Sequence, residues 1–441
     1  MCTKPRGHET TKLRNHETAK PRNHETAKSR NHETAKPRNH ETAKPRSRET
    51  AKPRSHETAS VLVSRLGALV VAALVLPVSL PALQTHEASA VFPQKQWQVI
   101  DRAESVGFSS KRLDAIRAWM ASLDTTAMMV VVGGKTLLAH GDVTHVSYLA
   151  SGRKSVLSLL YGKYVENGTI KLDRKLSDLQ FTDVGGLMPR ELDATVEHLL
   201  TARSGVYHPP SNGGDDTASA PARGTVTPGQ RFVYNNWDFN AAGAVFEKLT
   251  GREIYDALET DLAGPIGMED FDRARQRKSG NATVSQYPAY HVWLSTRDMA
   301  RVGLLTLREG LWGDRQVIPR DWVRRATSLV TPHRDTNAAF PDSPPSVDRW
   351  GYGYLFWVWD ADNPSDPLKG AYTAWGVGGQ YITVVPRLDM VIAHKTDTGF
   401  GQATGSAAVG TASQRPKAVT AAQYDAVLRM LVAAKCGDRC P

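Results

Sequence analysis

Hydrophobic and polar positions change pattern four times along this chain. Residues 1–59 hold almost nothing apolar: from Gly7 an eight-residue unit of the type NHETAKPR repeats and ends in SHETA. A stacked repeat needs apolar positions to bury against its neighbours, so this composition predicts a disordered leader rather than a solenoid. Leu66 to Leu83 is then an uncharged apolar run, broken by Pro77 and Pro81. From Ser109, SSKRLDAIRAWMASL has helical spacing with serines at its start, and AMMVVVGGKTLLAHG reads as two strands turning at Gly133-Gly134. The stretch YLASGRKSVLSLLYG, residues 148–162, predicts a buried helix, since Val156, Leu157, Leu159 and Leu160 leave almost no polar face. Residues 195–345 read mostly as helices and long loops, with HPPSNGGDD too polar and glycine-rich for core. Strand character returns in WGYGYLFWVWD and WGVGGQYITVVPRLDMVIAHK, with a turn at Pro386-Arg387, and KAVTAAQYDAVLRMLVAA closes as an amphipathic helix. Strands at both ends with helices between predict an α/β (α+β) domain over 91–441: an antiparallel sheet built from both ends of the mature chain, beside a helical lobe.

Charge changes the picture only for the leader. Residues 1–59 carry 15 Lys and Arg against 7 Glu, which is +8 of the formal +10. The remainder is near neutral, so a nucleic-acid reading of the basic pI applies to the leader alone and not to the folded domain. The six leader histidines recur at eight-residue steps or multiples of it, with nothing to order them into a metal site. Residues 60–90 have the three parts of a secretory signal peptide: Arg65, the uncharged run, and Ala88-Ser89-Ala90 as a small-residue cleavage site. The alternative is an uncleaved membrane anchor, against which the two prolines and the cleavage site count. Export is therefore expected to remove everything before Val91 and to leave a periplasmic or secreted protein. A signal peptide that begins sixty residues in makes the repeats either an unusual extension or upstream sequence included by a misplaced start. The exported part holds two cysteines, Cys436 and Cys440, able to close a small loop in an oxidising compartment, and no zinc or redox spacing.

The chemistry centres on Ser151 and Lys154. At i, i+3 they share a helix face, which puts the amine within reach of the hydroxyl. A buried ammonium is costly, and a desolvated lysine near a helix start gives up its proton more readily and can take one from serine. The ordinary alternative is a capped helix with a snorkelling lysine. Tyr234-Asn235-Asn236, in PGQRFVYNNWDFNAAGAVFEKLTG, supplies a phenol able to share the general-base task and an amide, Asn236, able to position a substrate carbonyl. AWGVGGQYITVVP has glycines at 376, 378 and 379, unusual on a strand and indicative of close approach by another backbone or a ligand. A backbone N–H at Val377 with that of Ser151 makes a candidate oxyanion hole.

These phrases, with EHLLTARSGV and LSTRDMARVGLLTLREGLWGDRQVIP, resemble the serine β-lactamase-like hydrolases across roughly residues 100–430. The nearest branch is the class C-like group of esterases, D-amino-acid peptidases and 6-aminohexanoate-dimer hydrolases. The resemblance implies the β-lactamase/transpeptidase-like fold, Ser151 as nucleophile, Lys154 as its proton partner, Tyr234 as general base and acid, and Asn236 as a positioning amide. One departure stands out: where that family's β-lactamases and peptidases carry K-T-G or H-T-G, this chain has Ala374-Trp375-Gly376. The cation that would hold a substrate carboxylate is missing. Lys395-Thr396-Asp397 lacks the glycine and reads as a surface turn. Trp375, Trp357 and Trp359 read equally as a flat apolar cleft or as core.

A Ser-His-Asp hydrolase is the obvious competitor, but no G-x-S-x-G lies in a strand-turn-helix context. His208 is weighed with it, and His291 reads as structural or cleft-lining, followed by an expected capping box of Ser295 and Asp298. No metal-ligand cluster or cofactor motif is present in the sequence. The expectation is an exported serine hydrolase acting on a small ester, amide or peptide, with β-lactamase or D-Ala-D-Ala carboxypeptidase activity as the nearer alternative. The alternative of another class is a catalytically inactive binder of cell-wall peptides on the same fold.

Overall fold

Two ends of the chain meet in one sheet. The structure, a computed structural model, describes residues 90–214, 217–337, 349–400 and 417–436. The repeats, and the segment 60–90 read as a signal peptide apart from Ala90, lie outside the described residues.

The first helix, α1 (Ser110–Ala121), leads into a hairpin of β1 (Ala127–Val132) and β2 (Lys135–Gly141). Gly133 and Gly134 turn it at φ +58° and +79°, a left-handed pair that matches the twist of the flanking strands. A short strand β3 (Ser147–Tyr148) precedes α2 (Arg153–Glu166). The middle of the chain supplies α3 (Val196–Leu200), α4 (Asn236–Thr250), α5 (Ile254–Ala257), β4 (Arg277–Ser279), β5 (Ala289–His291), β6 (Trp293–Leu294) and α6 (Thr296–Leu307). It continues through β7 (Leu311–Trp312), β8 (Arg315–Gln316), α7 (Arg320–Ala326) and α8 (His333–Asn337). The end returns to strands β9 (Trp350–Tyr352), β10 (Trp357–Trp359), β11 (Tyr372–Gly376), β12 (Gln380–Val385) and β13 (Met390–Lys395), then α9 (Ala421–Ala434).

The main sheet runs β2-β1-β13-β12-β11-β10-β9, all neighbours antiparallel. β1 lies against β13 from Ala127↔Lys395 to Val132↔Met390, so the expected closure by both ends holds. Helices cover both faces. Gly303 of α6 lets that helix sit directly on the sheet, because a Cβ there would lie 2.3 Å from Val391 Cγ1. On the opposite face Tyr424 of α9 stacks on Tyr381 at 3.6 Å, and its hydroxyl donates to Thr383 Oγ1. Every residue of β1, β12 and β13 is buried, as strands covered on both faces require.

Three local expectations change. Ser295 caps α6 by accepting from Asp298 N, but the Asp298 carboxylate accepts from Glu269 N and Asp270 N instead of closing a capping box. Asp298 is fully buried, and two backbone donors satisfy it better than one. In HPPSNGGDD, His208 and Ser211 are buried, each held by a loop carbonyl, while Asp215 and Asp216 lie outside the described residues. Lys395 and Thr396 are not a surface turn: they are 1% and 0% exposed. Pairing with β1 carries β13 as far as Lys395, whose Nζ donates to Ser147 O at 2.6 Å and Leu294 O at 2.7 Å.

Candidate active site

The entry to α2 is built from an unusual backbone. Leu149 N donates to Val292 O, Ala150 adopts a left-handed φ of +50°, and a 3-10 turn over Ala150–Gly152 delivers the chain into the helix. A non-glycine residue at positive φ is held there only by its surroundings, and such positions cluster at functional sites. Ser151 comes next, half-buried at the mouth of the helix. Val156, Leu157, Leu159 and Leu160 are buried as their pattern demands.

Lys154 is 1% exposed one turn further on. Its Nζ donates to Ser151 Oγ at 3.0 Å and to the Tyr234 hydroxyl at 2.7 Å. The ammonium also lies 4.2 Å from the Tyr234 ring centroid and 4.3 Å from that of Phe239. Two aromatic faces thus stand where a surface lysine would have water. Phe239 has no role in the sequence reading. Its signal is the spacing alone, five residues after Tyr234 on the first turn of α4.

Tyr234 is fixed by the start of α4 and by two aromatic neighbours. Asn235 caps α4 by accepting from Trp237 N at 2.8 Å, and its Nδ2 donates to Val206 O at 2.7 Å. Replacing such a cap typically costs about 1 kcal/mol. Phe239 and Trp357 then hold the phenol ring from two sides, at 4.8 and 5.6 Å between centroids. Asn236, the first residue of α4, is buried and donates from Nδ2 to Gly213 O at 2.9 Å.

The strand side meets this group through Gly376. A Cβ built there would lie 2.4 Å from Leu149 O and 3.1 Å from Ala150 Cβ, so only glycine lets β11 reach the segment carrying Ser151. Val377 opens the turn to β12 and is 72% exposed. Trp375 points to the other face by strand alternation: its ring lies 5.2 Å from Trp357 and 5.8 Å from Tyr381, and with Tyr424 it borders a small cavity. Trp357 and Trp359 are buried, the latter beside Trp350, which makes them core.

The histidines have other partners. His208 contacts the carbonyls of Pro209 and Val184, both at 2.8 Å, and lies 3.6 Å from the buried Asp183 carboxylate. His291 bridges the Tyr148 hydroxyl and Ser279 Oγ, and burial lowers its pKa to about 3, so it is neutral there. Burial likewise lowers Lys395 to about 7, with the Asp397 charge opposing. Among the described residues no group of three or more His, Cys, Asp or Glu is gathered as a metal ion would need.

Three comparisons bear on this arrangement. The family model described as Beta-lactamase matches residues 114–409. An uncharacterized protein of Alkalihalophilus pseudofirmus is 22% identical over 276 residues, 58% of this chain and 75% of that one. A 6-aminohexanoate-dimer hydrolase homologue from Bacillus anthracis superposes with a TM-score of 0.53 at 16% identity, covering 77% of this chain and 86% of that structure. A penicillin-binding protein homologue from Caulobacter crescentus gives 0.50 at 15%, covering 74% and 99%. At these identities the structural likeness bears on the fold.

Proposed function

The chain belongs to the beta-lactamase family, and from that premise we propose that it is an exported serine hydrolase that cleaves an ester or amide bond through an acyl group carried on Ser151. The observation that supports this most directly is the buried Lys154 amine, 3.0 Å from Ser151 Oγ and 2.7 Å from the Tyr234 hydroxyl. In this reading the Lys154–Tyr234 pair accepts the serine proton as Oγ attacks the substrate carbonyl. The N–H groups of Ser151 and Val377 receive the oxyanion, and Asn236 orients the carbonyl before attack. Tyr234 returns the proton to the leaving group, and water releases the acyl group by the reverse route.

The substrate we propose is neutral where it faces β11. Ala374-Trp375-Gly376 offers no cation to a carboxylate, which disfavours a β-lactamase or a D-Ala-D-Ala carboxypeptidase. A charge-assisted carboxylate pair is worth a few kcal/mol, so its absence costs β-lactams roughly 10- to 1,000-fold in rate relative to esters or uncharged amides. That leaves an activity of the esterase or 6-aminohexanoate-dimer-hydrolase kind. A catalytically inactive binder has no need of an amine held on both a serine and a phenol. Export is supported by the uncharged run and by Ala88-Ser89-Ala90, and Cys436, which is disulfide-bonded, suits an oxidising compartment.

A fluorophosphonate probe tests the central claim: it should label the wild-type protein and not Ser151→Ala. Equal labelling of both overturns the assignment. A panel of p-nitrophenyl esters, nitrocefin, D-amino-acid amides and 6-aminohexanoate oligomers then names the acyl and leaving groups. Nitrocefin turnover as fast as the best ester would contradict the neutral-substrate claim. N-terminal sequencing of exported protein should begin at Val91, and HETAK repeats on the mature chain would contradict the cleavage site.

A further inference from the structure

Arg153 lies between the nucleophile and its lysine in the sequence, and nothing proposed so far uses it. It is 2% exposed. Its Nη2 reaches Asn240 Oδ1 only at 3.4 Å, Nε and Nη1 make no hydrogen bond of ordinary geometry among the described residues, and the neutral hydroxyls of Tyr148 and Tyr290 stand beside the guanidinium. The guanidinium lies 4.6 Å from the Tyr290 ring centroid. Among the described residues no carboxylate pairs with it. A buried cation without a counter-ion is costly, and most buried arginines are paired. Here the charge stays uncompensated, one residue before Lys154 and at the positive end of the α2 dipole.

The charge acts on groups of four neighbouring elements. It opposes the rise that burial causes in Tyr148 of β3, Tyr255 of α5, Tyr290 of β5 and Tyr352 of β9, and it adds to the lowering of His291 of β5. Tyr290 and Tyr352 also interact with Tyr234, so the phenol and Arg153 share two neighbours. Asp238 of α4 is a carboxylate in this neighbourhood; it accepts from Ser204 Oγ at 2.6 Å, and its charge acts on Tyr207 and Tyr352, as that of Arg231 does on Tyr207. The strand side adds no cation at residues 374–376. Other cations near this group are Arg277 of β4, which also acts on His291, and Lys395 of β13, held on Ser147 O and Leu294 O.

We propose that Arg153 is a positioning residue for Ser151: its buried, uncompensated charge biases the Lys154–Tyr234 pair toward the form that lacks a proton and can accept one from the serine. This rests on the hydrolase reading and deepens it. A second cation beside the pair raises the cost of keeping the pair fully protonated, so the pair is ready to act at lower pH. Removing the charge should let it hold its proton more tightly.

The test is the rate of fluorophosphonate labelling against pH, which needs no knowledge of the substrate. Arg153→Gln removes the charge and should move the acid limb up by roughly one pH unit, equivalent to about 1.4 kcal/mol of lost interaction with the pair. Below the limb the rate falls about tenfold, and above it the rate is unchanged. Arg153→Lys keeps the charge and should keep the limb. Asn240→Asp leaves Arg153 in place and sets a carboxylate beside Nη2, and it should move the limb the same way as Arg153→Gln. If Arg153 merely packs, its variants slow labelling equally at all pH values and Asn240→Asp leaves the limb in place; that result overturns the proposal. Should Arg153→Gln not fold, Asn240→Asp decides alone. Wild-type protein that labels normally beside unmoved limbs sinks this inference and spares the hydrolase reading. Wild-type protein that does not label at Ser151 sinks both.

Discussion

Lys154 and Lys395 are buried to the same 1%, yet their surroundings differ in kind. Lys154 faces a hydroxyl, a phenol and two aromatic rings. Lys395 faces two backbone carbonyls, Ser147 O and Leu294 O, and ties the end of β13 to the β3–β6 pair. Carbonyls can only accept, so Lys395 can hold two strands together but has nothing to exchange a proton with. The hydroxyl and phenol around Lys154 can both give and take one. Burial alone does not mark a working lysine; the partners do.

Disabling each lysine should separate these roles. Lys154→Ala and Tyr234→Phe should each lower the labelling or ester-hydrolysis rate about 10³-fold or more, and the double variant should lose little beyond the worse single one, because groups that share a proton act as a unit. Losses that multiply in a double-mutant cycle, with folding checked by circular dichroism, would refute the shared proton. The segment linking Ser147 to Ser151 comes next. Gly376→Ala drives a Cβ into Leu149 O and should cost roughly 100- to 1,000-fold in kcat/KM, the scale set by losing an oxyanion donor. An unchanged rate would show that the Val377 turn is not part of the site.

Lys395→Met should cost activity less than about tenfold and act on stability instead. In the folded protein its pKa is lowered from 10.5 to about 7, so between those values the unfolded chain binds a proton that the native state does not. Its contribution to stability therefore rises with pH through that window and is complete above the unfolded value. Urea unfolding should show the wild type gaining on Lys395→Met by roughly 1 kcal/mol per pH unit, about 4 kcal/mol in all from pH 7 to 10. A pH-independent difference would contradict the assignment. The smallest effect belongs to Ala150→Gly, which relieves a left-handed alanine at φ +50°. It should change thermal stability by under about 1 kcal/mol, with relief and lost chain entropy opposing each other. Its labelling rate should stay within a few-fold, and a large loss would mean that the alanine itself shapes the site.

Much of the fold is readable from residue pattern. The hairpin at Gly133-Gly134, the return of strands after Trp350 and the buried Ser151 helix all come from local apolar periodicity, which is where single sequences carry most information. The spacing of Ser151 and Lys154 is enough for their contact, because i, i+3 geometry is fixed by the helix. Lys395 misleads because a lysine ending a strand looks solvated, and its two carbonyl partners come from segments 101 and 248 residues away. Asp298 misleads for the same reason: its donors, Glu269 and Asp270, belong to a distant loop. Arg153 does leave a sign, as a second cation beside Lys154 where an apolar helix begins, but its lack of a counter-ion is a property of the packed fold.

The pairing of β1 with β13 also sets a timetable for the chain's synthesis. β1 has its final neighbour only when Lys395 has been made, and until then one of its edges offers unpaired N–H and C=O groups. A nascent chain cut short before Met390 has no sheet to complete and keeps an apolar strand, AMMVVV, open to any other edge it meets. Under the export route proposed above, the same delay would keep the central sheet from locking before the last strand arrives.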